Sequence, residues 1–268
     1  MTENMPDIQR YRYIIAAAVF FLLLALETFY PLFQGRQKRI KHIGRNFSIV
    51  IIDNLVFFAL LAAATGFVFR YIEQNRMGLL YQIQLPAVLR IALIIVLFDL
   101  WMYIWHRWTH TSDFLWRFHR MHHSDPAMDA STALRFHPGE IIISTLLRWG
   151  VFLILGVTAF ELLIYETIML PVIFFHHSNF YLPEKPDKLL RQVIVTPWMH
   201  WVHHSHLKYE TNSNYGTIFS WWDRLFASFR LRSEPETIHY GLDTIRGSGW
   251  QTVWGMLKTP FVNRFDKG

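Results

Sequence analysis

The sequence predicts an all-α integral membrane protein. It comprises about three transmembrane helices, a helical hairpin that either spans or re-enters the bilayer, and a histidine-rich helical cap. Three observations lead there. The 268-residue chain is 52% hydrophobic and 17% aromatic, with a mean hydropathy of +0.19, which is more apolar than ordinary soluble domains. Its apolar residues gather in runs of about 20, the length that crosses a hydrocarbon core. Eight of the fourteen histidines sit in three short boxes, each beside or just beyond an apolar run.

The elements follow in chain order. Residues 1–12 carry mixed charge, with no evident cleavable signal, and the apolar run behind them is long enough to stay as an anchor. Residues 13–33 form the first expected span, interrupted only near its end by Glu27 and Thr28. The loop 34–46 holds Arg36, Lys38, Arg39, Lys41 and Arg45, which assigns it to the cytoplasm by the positive-inside rule. Residues 49–69 form the second span, with Asp53 and Asn54 near its start. The next loop has only Arg70 and Arg76 against Glu73, so it faces the other side. Residues 85–105 form the third span, with Arg90 near one end and Asp99 deeper, and it ends in the cytoplasm at His106.

Residues 141–155 and 160–175 flank a break at Gly156-Val157-Thr158 and contain Arg148, Glu161 and Glu166. Each half is shorter than a comfortable span, hence the hairpin expectation for 141–175. It must return to its starting side, because otherwise the third histidine box could not meet the first two. Residues 106–140 and 176–268 then make a cytoplasmic cap, punctuated by Pro183, Pro186 and Pro197 and by turns at Gly241, Gly247 and Gly249. The whole of 1–268 reads as one membrane-embedded domain.

The formal net charge is +6 and the isoelectric point about 9.6. The basic excess belongs to the membrane surface and to topology rather than to nucleic acid, because no basic run is interleaved with a recognition motif. There is no cysteine. That removes disulfides, thiolate-bound zinc, cysteine-ligated iron–sulfur clusters and thiol catalysis.

The boxes carry the chemistry. His106-Arg-Trp-Thr-His110 places two imidazoles four residues apart, on one face of a helix. His119-Arg-Met-His122-His123 and His200-Trp-Val-His203-His204 repeat one pattern. Adjacent helical residues diverge by about 100°, so each His-His pair can reach two metals or two walls of one pocket. Neutral imidazole is the commonest metal ligand among side chains. Asp99 precedes His106 by seven residues and so shares its face. A carboxylate inside a span needs a partner, and the expectation is that Asp99 accepts a proton from the far nitrogen of a ligand histidine, with pairing to Arg90 or another interhelical partner as the alternative. The aromatic stretches around Trp101, Tyr103, Trp105, Trp116, Trp198 and Trp201 read mostly as an interfacial belt, the alternative being the wall of a lipid slot.

The three boxes and the stretch Glu210-Thr-Asn-Ser-Asn-Tyr-Gly216 resemble the fatty acid hydroxylase/sterol desaturase superfamily, the membrane-bound histidine-box di-iron oxygenases. So do Phe136-His137-Pro138-Gly-Glu140 and Phe175-His176-His177-Ser-Asn179. The resemblance runs from about Asp99 to Arg230. It implies two iron ions, with zinc able to replace them in a purified sample, and O2 as co-substrate. It implies hydroxylation or desaturation of a membrane lipid, sterol or fatty acyl/alkyl. By position, the ligands it implies are His106, His110, His119, His122, His123, His177, His200, His203 and His204, with His137 and His176 as further candidates and Asn179 as a candidate catalytic residue. His42, in the basic loop, is expected to be solvated or near headgroups; with His239 it is expected to be no ligand, and His206 to be a polar loop residue. Glu140 stands where a haem motif of the cytochrome b5 type would have its second glycine, so no haem domain is expected. Electrons must then come from a separate reductase, cytochrome b5-like or ferredoxin-like carrier.

Two other classes compete. A membrane zinc hydrolase lacks support, since there is no HExxH motif and no carboxylate inside a box. A bis-histidine haem carrier or metal transporter would place histidines on facing spans, whereas here they lie beyond span ends.

Overall fold

A computed structural model describes residues 5–34 and 38–262. Every regular element among them is helical, with three isolated β-bridges between loops. Five helices are long and apolar enough to cross a membrane: α1 (Met5–Phe29), α2 (Arg39–Leu60), α4 (Ala87–Thr111), α6 (Pro138–Leu155) and α7 (Ala159–His177). Between α2 and α4 lies the shorter α3 (Ala62–Asn75), and α5 (Asp113–His123) follows α4. The outer faces present Phe21, Leu22, Leu55, Phe58 and Phe67, each more than half exposed. So many large apolar side chains on a surface require an apolar solvent. The protein is an all-α integral membrane protein.

The second span differs from expectation. It begins at Arg39, so Lys41, His42 and Arg45 of the expected loop are helical; Arg36 lies outside the described residues. The polar start is held by partners that sequence spacing does not reveal. Arg39 pairs with Glu27 of α1, and the two ring nitrogens of His42 meet Asp125 at 2.8 Å and Asp129 at 3.1 Å. His42 is therefore clamped between carboxylates rather than solvated. The expected span 49–69 is also bent at Leu61, where α2 gives way to α3. The Thr65 hydroxyl donates to the Leu61 carbonyl at 2.9 Å and accepts the Trp149 indole N–H at 3.0 Å. Such back-bonding by a hydroxyl bends helices.

The expected hairpin is present, and its arms are longer than the apolar count suggested. α6 starts at Pro138, with the ring of His137 capping Gly139 N–H at 2.9 Å. α7 runs on through His176 and His177. At the turn Gly156 adopts φ 79°, and the Thr158 hydroxyl and Glu161 form a capping box that restarts the helix. Gly156 also meets Gly78 backbone to backbone, where a Cβ on Gly78 would lie 2.2 Å from Gly156 N. The charges read inside the third span and the hairpin are paired or hydrogen-bonded. Arg90 binds Glu161 and the carbonyls of Leu80 and Gly156, Glu166 binds Arg12, and Arg148 binds the hydroxyls of Ser144 and Thr145.

The bundle core packs Ile94, Phe98, Phe152 and Tyr165 together, and Phe20 of α1 meets Phe174 of α7. α1, α4 and α7 end, and α2 and α6 begin, at one end of the bundle. There the remaining chain folds over them around a second core of Met128, Trp198, Trp201 and Tyr240. Trp198 and Trp201 are thus buried in the cap rather than placed in a belt. Arg135 ties the turn after α5 to Met121 O, Ser124 Oγ and Gln251 Oε1.

Candidate metal centre

All three boxes meet at this end. His106 and His110 lie on the last turns of α4, and His119, His122 and His123 on α5. His200 and His203 lie on the short helix α8 (Pro197–His203), with His204 at its C-cap. His177 closes α7. Their ring nitrogens converge as two groups. His106, His110, His119, His123 and His203 form one, and His122, His177, His200 and His204 the other; within each, one nitrogen per ring lies within 4.8 Å of all the rest. The groups share a wall, with His123 stacked on His204 at 4.4 Å between ring centroids. Each adjacent pair, His122-His123 and His203-His204, is split between the groups. The angular divergence of neighbouring helical residues produces that split.

The donor set fits metal cations. In the four-ring group, Nε2 of His177 lies 3.1 Å from Nε2 of His122 and 2.9 Å from Nε2 of His200, and Nε2 of His204 lies 3.1 Å from Nε2 of His200. Imidazoles bonded to one cation at about 2.0–2.1 Å put their nitrogens roughly 3 Å apart. In the five-ring group Nε2 of His106, His119 and His203, and both nitrogens of His110 and His123, are buried with no hydrogen-bond partner. Buried polar atoms without partners are rare in native proteins and cost about 1–3 kcal/mol each. Cations bound there would supply those partners.

Four rings are oriented through Nδ1. His106 donates to Tyr215 O at 2.9 Å, His203 to Ser213 O at 2.6 Å and His177 to Ile173 O at 2.8 Å; His119 meets Glu140 Oε1 at 2.9 Å. Donation at Nδ1 fixes the tautomer and turns Nε2 inward. The stretch Glu210 to Gly216 therefore acts through its backbone, by offering two carbonyls. Asp223 holds that stretch by accepting Tyr215 N–H at 2.7 Å and Gly216 N–H at 3.0 Å, and burial pushes Asp223 up to about 6. Burial and the neighbouring imidazoles hold His122, His123, His200, His203 and His204 well below the usual histidine range. They are neutral near pH 7, the form that binds metal.

Several sequence expectations move. Asp99 touches no histidine. It accepts from Tyr165 Oη at 3.0 Å, Ile218 N at 3.0 Å, Phe219 N at 3.1 Å and Trp222 Nε1 at 2.9 Å, so it pins the loop behind Tyr215 to α4. Nor does it pair with Arg90, which Glu161 takes. The carboxylate that does meet a ring is Glu140, on the first turn of α6. Sequence reasoning passed over it, although it closes the quoted Phe136-to-Glu140 segment. Asn179 is bonded by side chain and backbone to Phe33, Leu32 and Glu27, and so anchors the chain after α1. His137 spends both nitrogens on Gly139 N and Leu257 O and stands outside both groups. His176 is buried with its ring 4.1 Å from that of His200, beside the four-ring group rather than in it.

A cavity of about 90 Å³ touches the rings of both groups and Glu140. A larger one, about 270 Å³, shares Met102, Trp105, Phe136, Glu140 and Ile173 with it and extends between α2, α4, α6 and α7. Trp101 and Trp105 line this space, so they wall a slot rather than form a belt. The Phe136 ring lies parallel to His122 at 4.7 Å.

Nine clustered imidazoles at one end of a membrane helical bundle define the chain as a histidine-rich membrane protein with two groups that could each hold a metal ion. The fatty acid hydroxylase family model matches residues 91–228, just over half the sequence, and the chain belongs to that family. It is 28% identical over 181 residues to ornithine lipid hydroxylase OlsE of Rhizobium tropici, an alignment covering 68% of this chain and 53% of that protein. It is 30% identical over 144 residues to alkylglycerol monooxygenase of Danio rerio, covering 54% of this chain and 31% of that protein. The human alkylglycerol monooxygenase is 28% identical over 181 residues, covering 62% and 38%. The chain thus spans about half or less of the length of these relatives. No solved structure is significantly similar to it.

Proposed function

We propose that this protein is an O2-dependent oxidoreductase that hydroxylates or desaturates a membrane lipid at two iron ions held by the nine clustered histidines. The observation that carries this reading is the convergence of those rings into two adjoining groups, each tight enough for one cation. Iron bound there would supply O2 activation and the removal of hydrogen from an unactivated C–H bond. The printed names of the relatives, lipid hydroxylase and alkylglycerol monooxygenase, agree with a lipid substrate.

The chain's own residues do the rest. The slot between α2, α4, α6 and α7 accepts the lipid from the bilayer side. Met102, Trp105 and Ile173 lead it toward the rings and keep bulk water out. Tyr215 O, Ser213 O and Glu140 hold ligand rings at fixed angles. Both reactions consume two electrons and two protons per O2; a separate reductase, cytochrome b5-like or ferredoxin-like carrier supplies the electrons, and water supplies the protons. The histidine-bearing end faces the cytoplasm on this reading, since Arg39, Lys41 and Arg45 lie at that end of α2.

The test is purification with metal analysis, followed by aerobic incubation with reductase and lipid. About two irons per chain and a lipid product gaining one oxygen or losing two hydrogens support the proposal. A single zinc with no oxidised lipid, or haem absorbance, overturns it.

A further inference from the structure

The larger cavity is not uniformly apolar. Asp53 of α2, Trp101 of α4 and Glu140 of α6 all line it, among Met102, Leu170 and Phe174. Each of the three carries a buried atom with no hydrogen-bond partner: Asp53 Oδ1, Trp101 Nε1 and Glu140 Oε2. Glu140 is 4% exposed, and its other oxygen is committed to His119. Two are acceptors and one is a donor.

Their depth is fixed by the helices. Ile49 of α2 packs on Met121 of α5, in the middle of the second box. Asp53 lies one turn further into the bundle, about 6 Å along the axis. Trp101 lies just over one turn inward of His106 on α4. The polar atoms therefore sit immediately inward of the rings, where a bound chain would pass on its way to them. A plain hydrocarbon there would leave all three unsatisfied, which membrane interiors tolerate poorly. A hydroxyl donates one hydrogen bond and accepts others, and so answers both kinds of orphan at once.

Resting on the oxygenase reading, we propose that this cavity selects lipids bearing a free hydroxyl close to the segment that reaches the metal centre. In this assignment Asp53 Oδ1 accepts a hydrogen bond from the hydroxyl and Trp101 Nε1 donates one to its oxygen. Asp53 and Trp101 are specificity-determining residues that touch the substrate without touching the reacting carbon.

The experiment measures equilibrium binding of two probes to metal-loaded protein in nanodiscs. One probe is 1-O-hexadecylglycerol; the other is its 2,3-di-O-methyl ether, which keeps the chain and all three oxygens but has no O–H. Wild type should bind the diol at least about 10-fold more tightly, since a site built to hydrogen-bond a hydroxyl rejects the analogue lacking it. Asp53→Leu should bring the two affinities within about two-fold of each other while leaving the ether's affinity and the metal content unchanged. Trp101→Phe should reduce the preference in part, and it carries the test alone if the Asp53 variant does not fold. Equal affinities in wild type, failure of wild type to bind either probe, or an undiminished preference in the folded variants overturns the proposal. Because binding needs no turnover, lipid oxidation without the preference sinks this inference alone. The preference without any oxidised product sinks the oxygenase reading alone.

Discussion

The two histidine groups share a wall but are built differently. In the five-ring half, His106, His119 and His203 are each turned by an acceptor that the protein supplies, and their inward nitrogens stand free. In the four-ring half only His177 has such an acceptor. His122 and His200 have no partner at Nδ1, and the four Nε2 atoms crowd to 2.9–3.1 Å along the chain of rings. Packing sets those rings instead, through Phe136 on His122, His176 beside His200 and His123 on His204. Hydrogen bonds orient three rings of one half, and in the other half a bound cation would be needed to keep like nitrogens together.

The sharpest way to break this comparison is to remove one ring from each half. His203→Ala and His204→Ala should each lower turnover by more than about 100-fold, beyond the loss expected for an outer hydrogen-bond partner. Metal content per chain should fall in both. Equal loss of both cations in either variant would show that the halves bind as one unit.

Glu140→Gln touches only the five-ring half. It should cost about 10–100-fold in metal affinity or turnover, the range for a partner that orients a ligand histidine. Metal titration should show a weakened site beside an unchanged one. A variant that titrates like wild type would remove Glu140 from the orienting set.

Acid should weaken both halves. His122, His123, His200, His203 and His204 have folded-state pKa values depressed by burial. The unfolded chain therefore binds more protons than the folded one below the ordinary histidine value of about 6.5. Their contribution to stability is whole above that pH and declines as pH falls below it, and proton competition for the ligands acts in the same direction. Melting temperature and retained metal, followed from pH 7.5 to about 5, should fall together. A flat profile would mean that these rings do not stay neutral on folding.

The smallest expected effect on the metals comes from Asp99→Asn. Asp99 accepts four hydrogen bonds and meets no histidine, so its amide should cost about 1–3 kcal/mol of stability through disrupted acceptance. Metal content should hold. Loss of iron ahead of any fall in melting temperature would show that the loop behind Tyr215 steers His106 more strongly than its distance suggests.

Local rules gave the sequence its reach. Helical spacing put His106 with His110, and the divergence of neighbouring side chains correctly anticipated that His122-His123 and His203-His204 would face two ways. Apolar run length found α1, α4 and the α6–α7 hairpin. Run length failed at α2, because a helix continues through Arg39 and His42 when Glu27, Asp125 and Asp129 answer them from elsewhere. Helical phase pointed to Asp99, since it shares a face with His106. Phase on one helix does not say which neighbour covers that face, and the loop at Ile218 and Phe219 covers it first. The orienting role of Glu140 escaped notice because its partner His119 is 21 residues away on another helix. The role of Glu210 to Gly216 escaped because carbonyl groups leave no mark in side-chain identity.

The sequence by itself determined an all-helical membrane protein with three histidine boxes, because span length and helical periodicity act over a few turns and need no distant partner. Only the tertiary structure decided how those rings divide into two groups, which carboxylate orients His119, and that Asp53, Trp101 and Glu140 border one slot. Each of those facts is a meeting between helices, fixed by packing and by the need to satisfy buried polar atoms across the fold.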